Sequence, residues 1–290
     1  MVDRSSPIAI IGAGRLGSAL AHALLRAGRP LDTVASAHRE TADALAEQLP
    51  FVGASEVAEA IEGSGLVFLA IPDDVIRSFV GEHRWRPDQA VVHLSGGLGL
   101  DALAPATEAA ALAGCLHPLQ TFPRGDSPAA ARARFEGIAC GVEAAEPLGS
   151  LLESIADDLG ARTFRLEGID RAAYHAAAVF VSNDVVASMV AATRAWELAG
   201  LPAADARASL SPLLTATAAA IASLELVDTL TGPVARGDVD TIRRHLAGLE
   251  PQPDLRELYR RLAAELLRLD LGHPPEVTGP LAALLNSDRP

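Results

Sequence analysis

Between an apolar run of strand length, IAII at residues 8–11, and a helix-periodic segment, SALAHALLRAG, the chain sets Gly12, Gly14 and Gly17 in the spacing G-x-G-x-x-G. Few short patterns restrict a backbone so narrowly. Gly12 permits a tight turn out of the strand, Gly14 lets the backbone approach a pyrophosphate, and Gly17 lets the helix pack close to the strand. The helix amino terminus then presents free N–H groups and the positive end of its dipole to a phosphate. Gly12, Ala13, Gly14, Arg15, Leu16 and Gly17 are the expected phosphate loop of a bound dinucleotide.

The surrounding pattern agrees with that reading. Further strand-like runs occupy residues 31–35, 66–71, 90–94, 115–119 and 138–142, and ARTFRLE closes the series near residue 167. Helical segments such as ETADALAEQL lie between the early ones. This alternation predicts an α/β fold, a doubly wound parallel sheet of Rossmann type. From Ile169 to Ala199 the pattern is that of one long helix, ended by Gly200 and Pro202, and helical patterns follow it. Residues 1–167 are expected to form the nucleotide-binding domain and residues 168–290 an all-α substrate and dimerisation domain. The last residues, with Pro274, Pro275 and Pro280, are expected to be loosely attached.

Composition removes several function classes. A net charge of −13 argues against nucleic-acid partners and anionic membranes, which need a basic face. All 24 basic residues are arginine, so no lysine Schiff base or lysine general acid can operate. Cys115 and Cys140 sit in short apolar runs and are expected to be buried core thiols rather than a metal pair. No signal peptide and no membrane-spanning stretch are expected, which places the chain in the cytoplasm.

The end of the second strand sets the cofactor. An NAD site places Asp or Glu there for the ribose 2′-hydroxyl. This chain has Ser36, Ala37, His38 and Arg39, groups that can hold a 2′-phosphate, so NADP(H) is expected. Ligands collect at the carboxyl ends of such strands. Candidates there are Ile71, Pro72 and Ser95 for cofactor, and Gly96, Gln120 and Thr121 for substrate. His117 stands in the stiff loop HPLQTFP. On the expected long helix, at about 100° per residue, His175 and Ser182 fall roughly 20° apart with Asn183 about 80° to one side. Asp184 points away. Thr231, in the turn Thr231-Gly232-Pro233, and Arg236 are candidates for a substrate carboxylate, with an ion pair to Asp238 or Asp240 as the alternative for Arg236. Ala172, Ala173, Ala176, Ala177 and Ala178 form a face that a second helix could approach, so a homodimer through helix 169–199 is expected.

Taken in order, the glycine fingerprint, LAIPDD, HLSGGLG, LHPLQTFP, YHAAAVFVSND and LTGPVARGD resemble one family over roughly residues 7–262. Its members are assigned as oxidoreductases with a Rossmann-like amino-terminal domain and a helical carboxyl-terminal domain of unknown function. More distantly the chain is similar to the 6-phosphogluconate-dehydrogenase-like superfamily, in which the first helix of the second domain faces the nicotinamide and often builds a dimer. His117-Pro118 resembles the His-Pro step of prephenate dehydrogenases, and Ser95-Gly96 the turn before it. His175 and Asn183 occupy the helix where hydroxyisobutyrate dehydrogenases and ketopantoate reductases carry a catalytic lysine and an asparagine. The lysine is missing here.

The expected function is that of an NADPH-dependent reductase acting on a small carbonyl or imine compound, one bearing a carboxylate if Arg236 serves it. His175 is the expected general acid with His117 as the alternative, and Asn183 and Ser182 orient the substrate. The competing expectation is a non-catalytic NADP(H)-binding module whose partner reads the cofactor's redox state.

Overall fold

The computed structural model describes residues 2–286. Eight strands, β1 (Ile8–Ile11), β2 (Leu31–Ala35), β3 (Gly53–Ala54), β4 (Leu66–Leu69), β5 (Ala90–His93), β6 (Leu112–Pro118), β7 (Ala139–Ala144) and β8 (Arg162–Arg165), form one sheet. Their order is β3-β2-β1-β4-β5-β6-β7-β8. Periodicity of two along β1 explains the layering. Ile8 and Ile10 enter one apolar cluster with Val34, Phe68 and Val92. Ala9 and Ile11 enter the other with Ala35, Leu69 and Val91. Both faces are covered, so the strands read as continuous apolar runs.

The helices of this part are α1 (Arg15–Arg26), α2 (Arg39–Ala46), α3 (Val57–Gly63), α4 (Asp73–Glu82), α5 (Ala104–Glu108), α6 (Pro128–Ala133), α7 (Leu148–Asp158) and α8 (Arg171–Phe180). The expected all-parallel sheet needs one correction: β7 runs antiparallel to β6, while β7 and β8 are parallel. Between β6 and β7 the chain has only a loop and the short α6, which packs on α1, so no helical crossover brings β7 back in parallel. The two-residue β3, pairing Thr33 and Val34 with Gly53 and Ala54, gave no sequence signal because Gly and Ala have little strand preference.

The chain divides into two compact units, residues 1–182 and 183–290. The expected boundary at 167/168 lies before this division, because α8 groups with the sheet. The expected continuous helix 169–199 is also interrupted. α8 ends at Phe180, Val181 takes φ −95° and ψ 5°, and α9 (Asn183–Leu198) begins after Ser182. By length and composition alone the stretch Arg171–Leu198 could cross a membrane, with a mean hydropathy of 1.5 over eighteen residues. That overturns the expectation that no such stretch exists.

The second unit continues with α10 (Ala203–Ile221), α11 (Leu226–Thr229), α12 (Gly232–Arg236), α13 (Val239–Gly248), α14 (Pro253–Leu266) and α15 (Pro275–Asn286). Its core is small: Val234, Ile242, Leu246, Ala263, Leu281 and Leu285. Leu281 and Leu285 belong to α15, so the carboxyl-terminal segment is a docked helix rather than the loose tail its prolines implied. Pro275 opens the helix, where a missing N–H costs nothing.

Candidate active site

The glycine loop has the geometry its spacing predicted. Gly12 sits at φ 109°, and a Cβ there would lie 2.3 Å from the Ala70 carbonyl oxygen. A Cβ on Gly17 would lie 1.9 Å from the Gly12 oxygen. Both are steric requirements of the fold. Gly14 differs, since nothing lies within 4 Å of its Cβ position. It is the N-cap of α1 without a side-chain cap bond, and no acidic residue stands in the first turn. An uncapped twelve-residue helix opening behind a glycine that faces free space is a cradle suited to a pyrophosphate. Arg15 is exposed at its rim and Leu16, half-buried with Ala13, packs on the core below.

From this loop the site is built along the strand ends. Ala70 N donates to Ile11 O at 2.8 Å, which brings the end of β4 beside β1. The Ile71 side chain comes within 3.2 Å of the Gly12 Cβ position, and Pro72 caps α4. Asp73, first residue of α4, turns its carboxylate to Ser95, whose Oγ donates to Asp73 Oδ2 at 2.5 Å. The same Ser95 oxygen accepts from Gly97 N and Leu98 N, both at 3.1 Å. Ser95 N in turn donates to His93 Nδ1 at 3.2 Å. Ser95, expected as a cofactor ligand, is therefore the clamp that shapes the Ser95-Gly96-Gly97 turn.

That turn carries two histidines. A Cβ on Gly96 would lie 2.6 Å from His117 Cε1, so the imidazole rests directly on backbone. A Cβ on Gly97 would lie 3.4 Å from His175 Nδ1 and 3.9 Å from Asp73 Oδ2. The two imidazoles meet edge to face with ring centroids 6.3 Å apart. His117 Nδ1 pairs with the Tyr174 hydroxyl at 2.6 Å. The predicted His117 and His175 thus come together, joined by Tyr174, His93 and Asp73.

Burial, reinforced by the charges of His175, Arg171 and His93, pushes His117 down to about 4. Burial also raises Tyr174 to about 12, so the phenol keeps its proton at neutral pH. Where the phenol donates to Nδ1 of the neutral imidazole, the ring proton of His117 sits on Nε2; where it accepts, the proton sits on Nδ1. In either arrangement His117 is neutral near pH 7, not a reservoir of imidazolium. His93 is likewise pushed to about 4, mainly by burial. Behind them Arg171 Nη2 bonds Glu143 Oε2 at 2.5 Å. Cys115 and Cys140 are free and buried, raised by burial to about 11 and about 12, as core thiols should be.

Other expected site residues are placed differently. The arc joining His175 to Ser182 and Asn183 presumed an unbroken helix. With the break at 181–182, Ser182 Oγ donates to the Ala178 carbonyl at 2.7 Å and Asn183 starts α9 in the second unit. Gln120 and Thr121 are exposed, and Gln120 Oε1 accepts from Thr121 N at 2.8 Å. Ser36 Oγ accepts from Thr41 Oγ1 at 3.1 Å, and His38 is the exposed N-cap of α2. Arg39 is tied to Asp43 and Glu56. In the second unit Thr231 is the N-cap of α12 and Arg236 its exposed last residue. Of the alternative partners of Arg236, Asp240 pairs with Arg243, while Asp238, which holds Thr241, also feels the Arg236 charge.

Tyr174, His93 and Asp73 were missed or undervalued in the sequence. A tyrosine beside His175 in a chain with 4% aromatic residues was the available signal. So was a histidine ending the buried run AVVH. Among the described residues no group of three or more His, Cys, Asp or Glu is arranged to hold a metal.

Residues 3–118 match the model of a Rossmann-like domain, and residues 138–266 match a domain of unknown function, DUF2520. Among solved structures, a Bacteroides fragilis protein proposed as an NADP oxidoreductase is 27% identical. The match covers 90% of this chain and 98% of that one, with a TM-score of 0.71. The 1-pyrroline-5-carboxylate reductase of Streptococcus pyogenes shares the fold at 18% identity and a TM-score of 0.59, covering 98% of each chain. A glycerol-3-phosphate dehydrogenase [NAD(P)+] of Anaeromyxobacter sp. (strain K) is 31% identical over 175 residues, 54% of this chain. The chain spans about half the length of that relative, 51%. The chain thus joins a glycine-loop domain that matches the Rossmann-like model to a second domain that matches DUF2520, a combination consistent with a Rossmann-like oxidoreductase family.

Proposed function

We propose that the protein is an NADP(H)-dependent reductase of a small carbonyl or imine compound. The observation that carries the reading is the His117–Tyr174–His175 cluster on the Gly96-Gly97 turn, linked through Asp73, Pro72 and Ile71 to the phosphate loop. Gly12, Gly14 and Gly17 would hold the pyrophosphate, and Ser36, His38 and Arg39 would meet the 2′-phosphate. When bound, the cofactor supplies the reducing equivalent from its nicotinamide C4.

The residues then have two tasks, to position the acceptor and to protonate the developing oxyanion or amine. His117, neutral and held by Tyr174, donates a hydrogen bond from Nε2 to the acceptor heteroatom. His175, the exposed imidazole of the cluster, delivers the proton. Asp73 fixes Ser95, which fixes the turn under both rings. Relatives in this fold include a reductive aminase from Aspergillus terreus in complex with NADPH and a pyrroline-carboxylate reductase, and a C=N or C=O acceptor suits the same donors. We further propose that the protein is a homodimer. α9 and α10 carry exposed Val186, Val190, Leu213 and Ile221, an apolar surface that a second copy would cover.

The test is loss of NADPH absorbance against a panel of 2-oxo acids, aldehydes and cyclic imines, with NADH in parallel. Turnover of any acceptor supports the reading and tells carbonyl from imine. Tight NADPH binding with silence across the panel would favour a protein that senses the cofactor without reacting it.

A further inference from the structure

The arginine at the end of β2 is not free to receive a phosphate. Each nitrogen of the Arg39 guanidinium has an acceptor: Nε on Asp43 Oδ1 at 2.9 Å, Nη1 on Glu56 Oε1 at 3.0 Å, and Nη2 on the Ala54 carbonyl at 3.0 Å. Asp43 lies one turn along α2, whereas Glu56 comes from the N-cap position of α3, across the edge strand β3. Glu40 adds a further carboxylate to the first turn of α2. This corner ties one guanidinium to two carboxylates. A ribose 2′-hydroxyl meets such a corner without cost, but a 2′-phosphate must compete with the carboxylates for Arg39 and sit beside their charge.

We infer that Glu56 is a cofactor-specificity residue that restrains the preference for NADPH over NADH by holding Arg39 away from the 2′-phosphate. This rests on the NADP(H) reading proposed above. Arg39 and Glu56 are both largely exposed, at 46% and 69% of their side-chain surface, so the clamp is a weak one that a phosphate can displace. Glu56 makes no cap bond to α3, so its amide analogue keeps the fold.

The experiment is fluorescence titration of NADPH and NADH on the wild-type chain, Glu56→Gln, Arg39→Ala and the double variant, with thermal melts as a control on folding. Glu56→Gln is expected to tighten NADPH roughly three- to fivefold, the scale of one exposed ion pair, and to leave NADH within about twofold. Arg39→Ala should weaken NADPH and abolish the effect of Glu56→Gln, since the two act through one contact. An unchanged NADPH-to-NADH ratio in Glu56→Gln overturns the inference while the cofactor reading stands. Weaker NADPH binding also overturns it, because Glu56 would then be orienting Arg39 for the phosphate. If the wild-type chain binds neither nucleotide, the cofactor reading falls and takes this inference with it.

Discussion

The sheet unit and the helical unit treat their apolar residues in opposite ways. In residues 1–182 two clusters seal both faces of the sheet, and Phe68, Ile10, Leu69 and Leu116 are almost wholly buried. In residues 183–290 the core is a single small cluster, α9 buries no residue, and α10 buries only Ala206. Val186 is 66% exposed and Leu213 67%. The first unit turns its hydrophobic residues inward and keeps polar groups for the strand ends, where the His117–Tyr174–His175 cluster gathers. The second leaves its hydrophobic residues outward, where only another surface could cover them.

Five substitutions and a change of pH press on that contrast. The largest effect is expected at His175, which is exposed and supports no core. His175→Ala should cut kcat by 10²–10⁴, about 3–5 kcal/mol of barrier, with an unchanged melting temperature. Equal loss of activity and stability would mean the residue is structural. Next, Gly17→Val drives a side chain into the Gly12 carbonyl and should cost about 3 kcal/mol of stability in denaturant unfolding. Gly14→Val, which meets nothing, should weaken NADPH binding at constant stability.

Acid comes third. His93 and His117 are held near 4 in the folded chain against 6.5 for a free imidazole. Between those values the unfolded chain binds protons that the folded chain refuses. Stability is therefore full above about pH 6.5 and drains as the pH falls toward 4, by on the order of 3 kcal/mol for each histidine. Melts from pH 7 to pH 4.5 should show this slope, and His93→Gln should reduce it. The smallest effect belongs to the helical unit. Val190→Glu on exposed α9 should change monomer stability by less than about 0.5 kcal/mol, yet shift sedimentation from dimer to monomer. A large loss of stability at high dilution would show that the residue is already buried within one chain.

How much of this the sequence disclosed follows the same division. The sheet was legible because strands buried on both faces read as apolar runs, and the phosphate loop because glycine spacing reports backbone sterics directly. The reversal of β7 was not, since the loop and helix between Pro118 and Ala139 are long enough for either strand direction. The break at Val181–Ser182 escaped notice because neither residue is a helix breaker. The arc from His175 to Asn183 rests on a continuous helix, which α8 and α9 do not form. His117 and His175 stand out in the sequence from their settings, a proline-bounded loop and an apolar helix. Tyr174, Asp73 and the role of Ser95 emerge only when β4, β5, β6 and α8 are brought together in space. The clamp on Arg39 is likewise a contact between residues 17 positions apart that no local pattern announces.

The central claim is transfer of a reducing equivalent from NADPH to an acceptor held at the His117–Tyr174–His175 cluster. The most direct measurement is turnover with NADPH carrying deuterium at both nicotinamide C4 positions, followed by mass spectrometry of the reduced acceptor. The account predicts one deuterium in each product molecule with the wild-type chain and its near-absence with His175→Ala. Tight binding of the labelled cofactor with no deuterium in any carbonyl or imine product would contradict it.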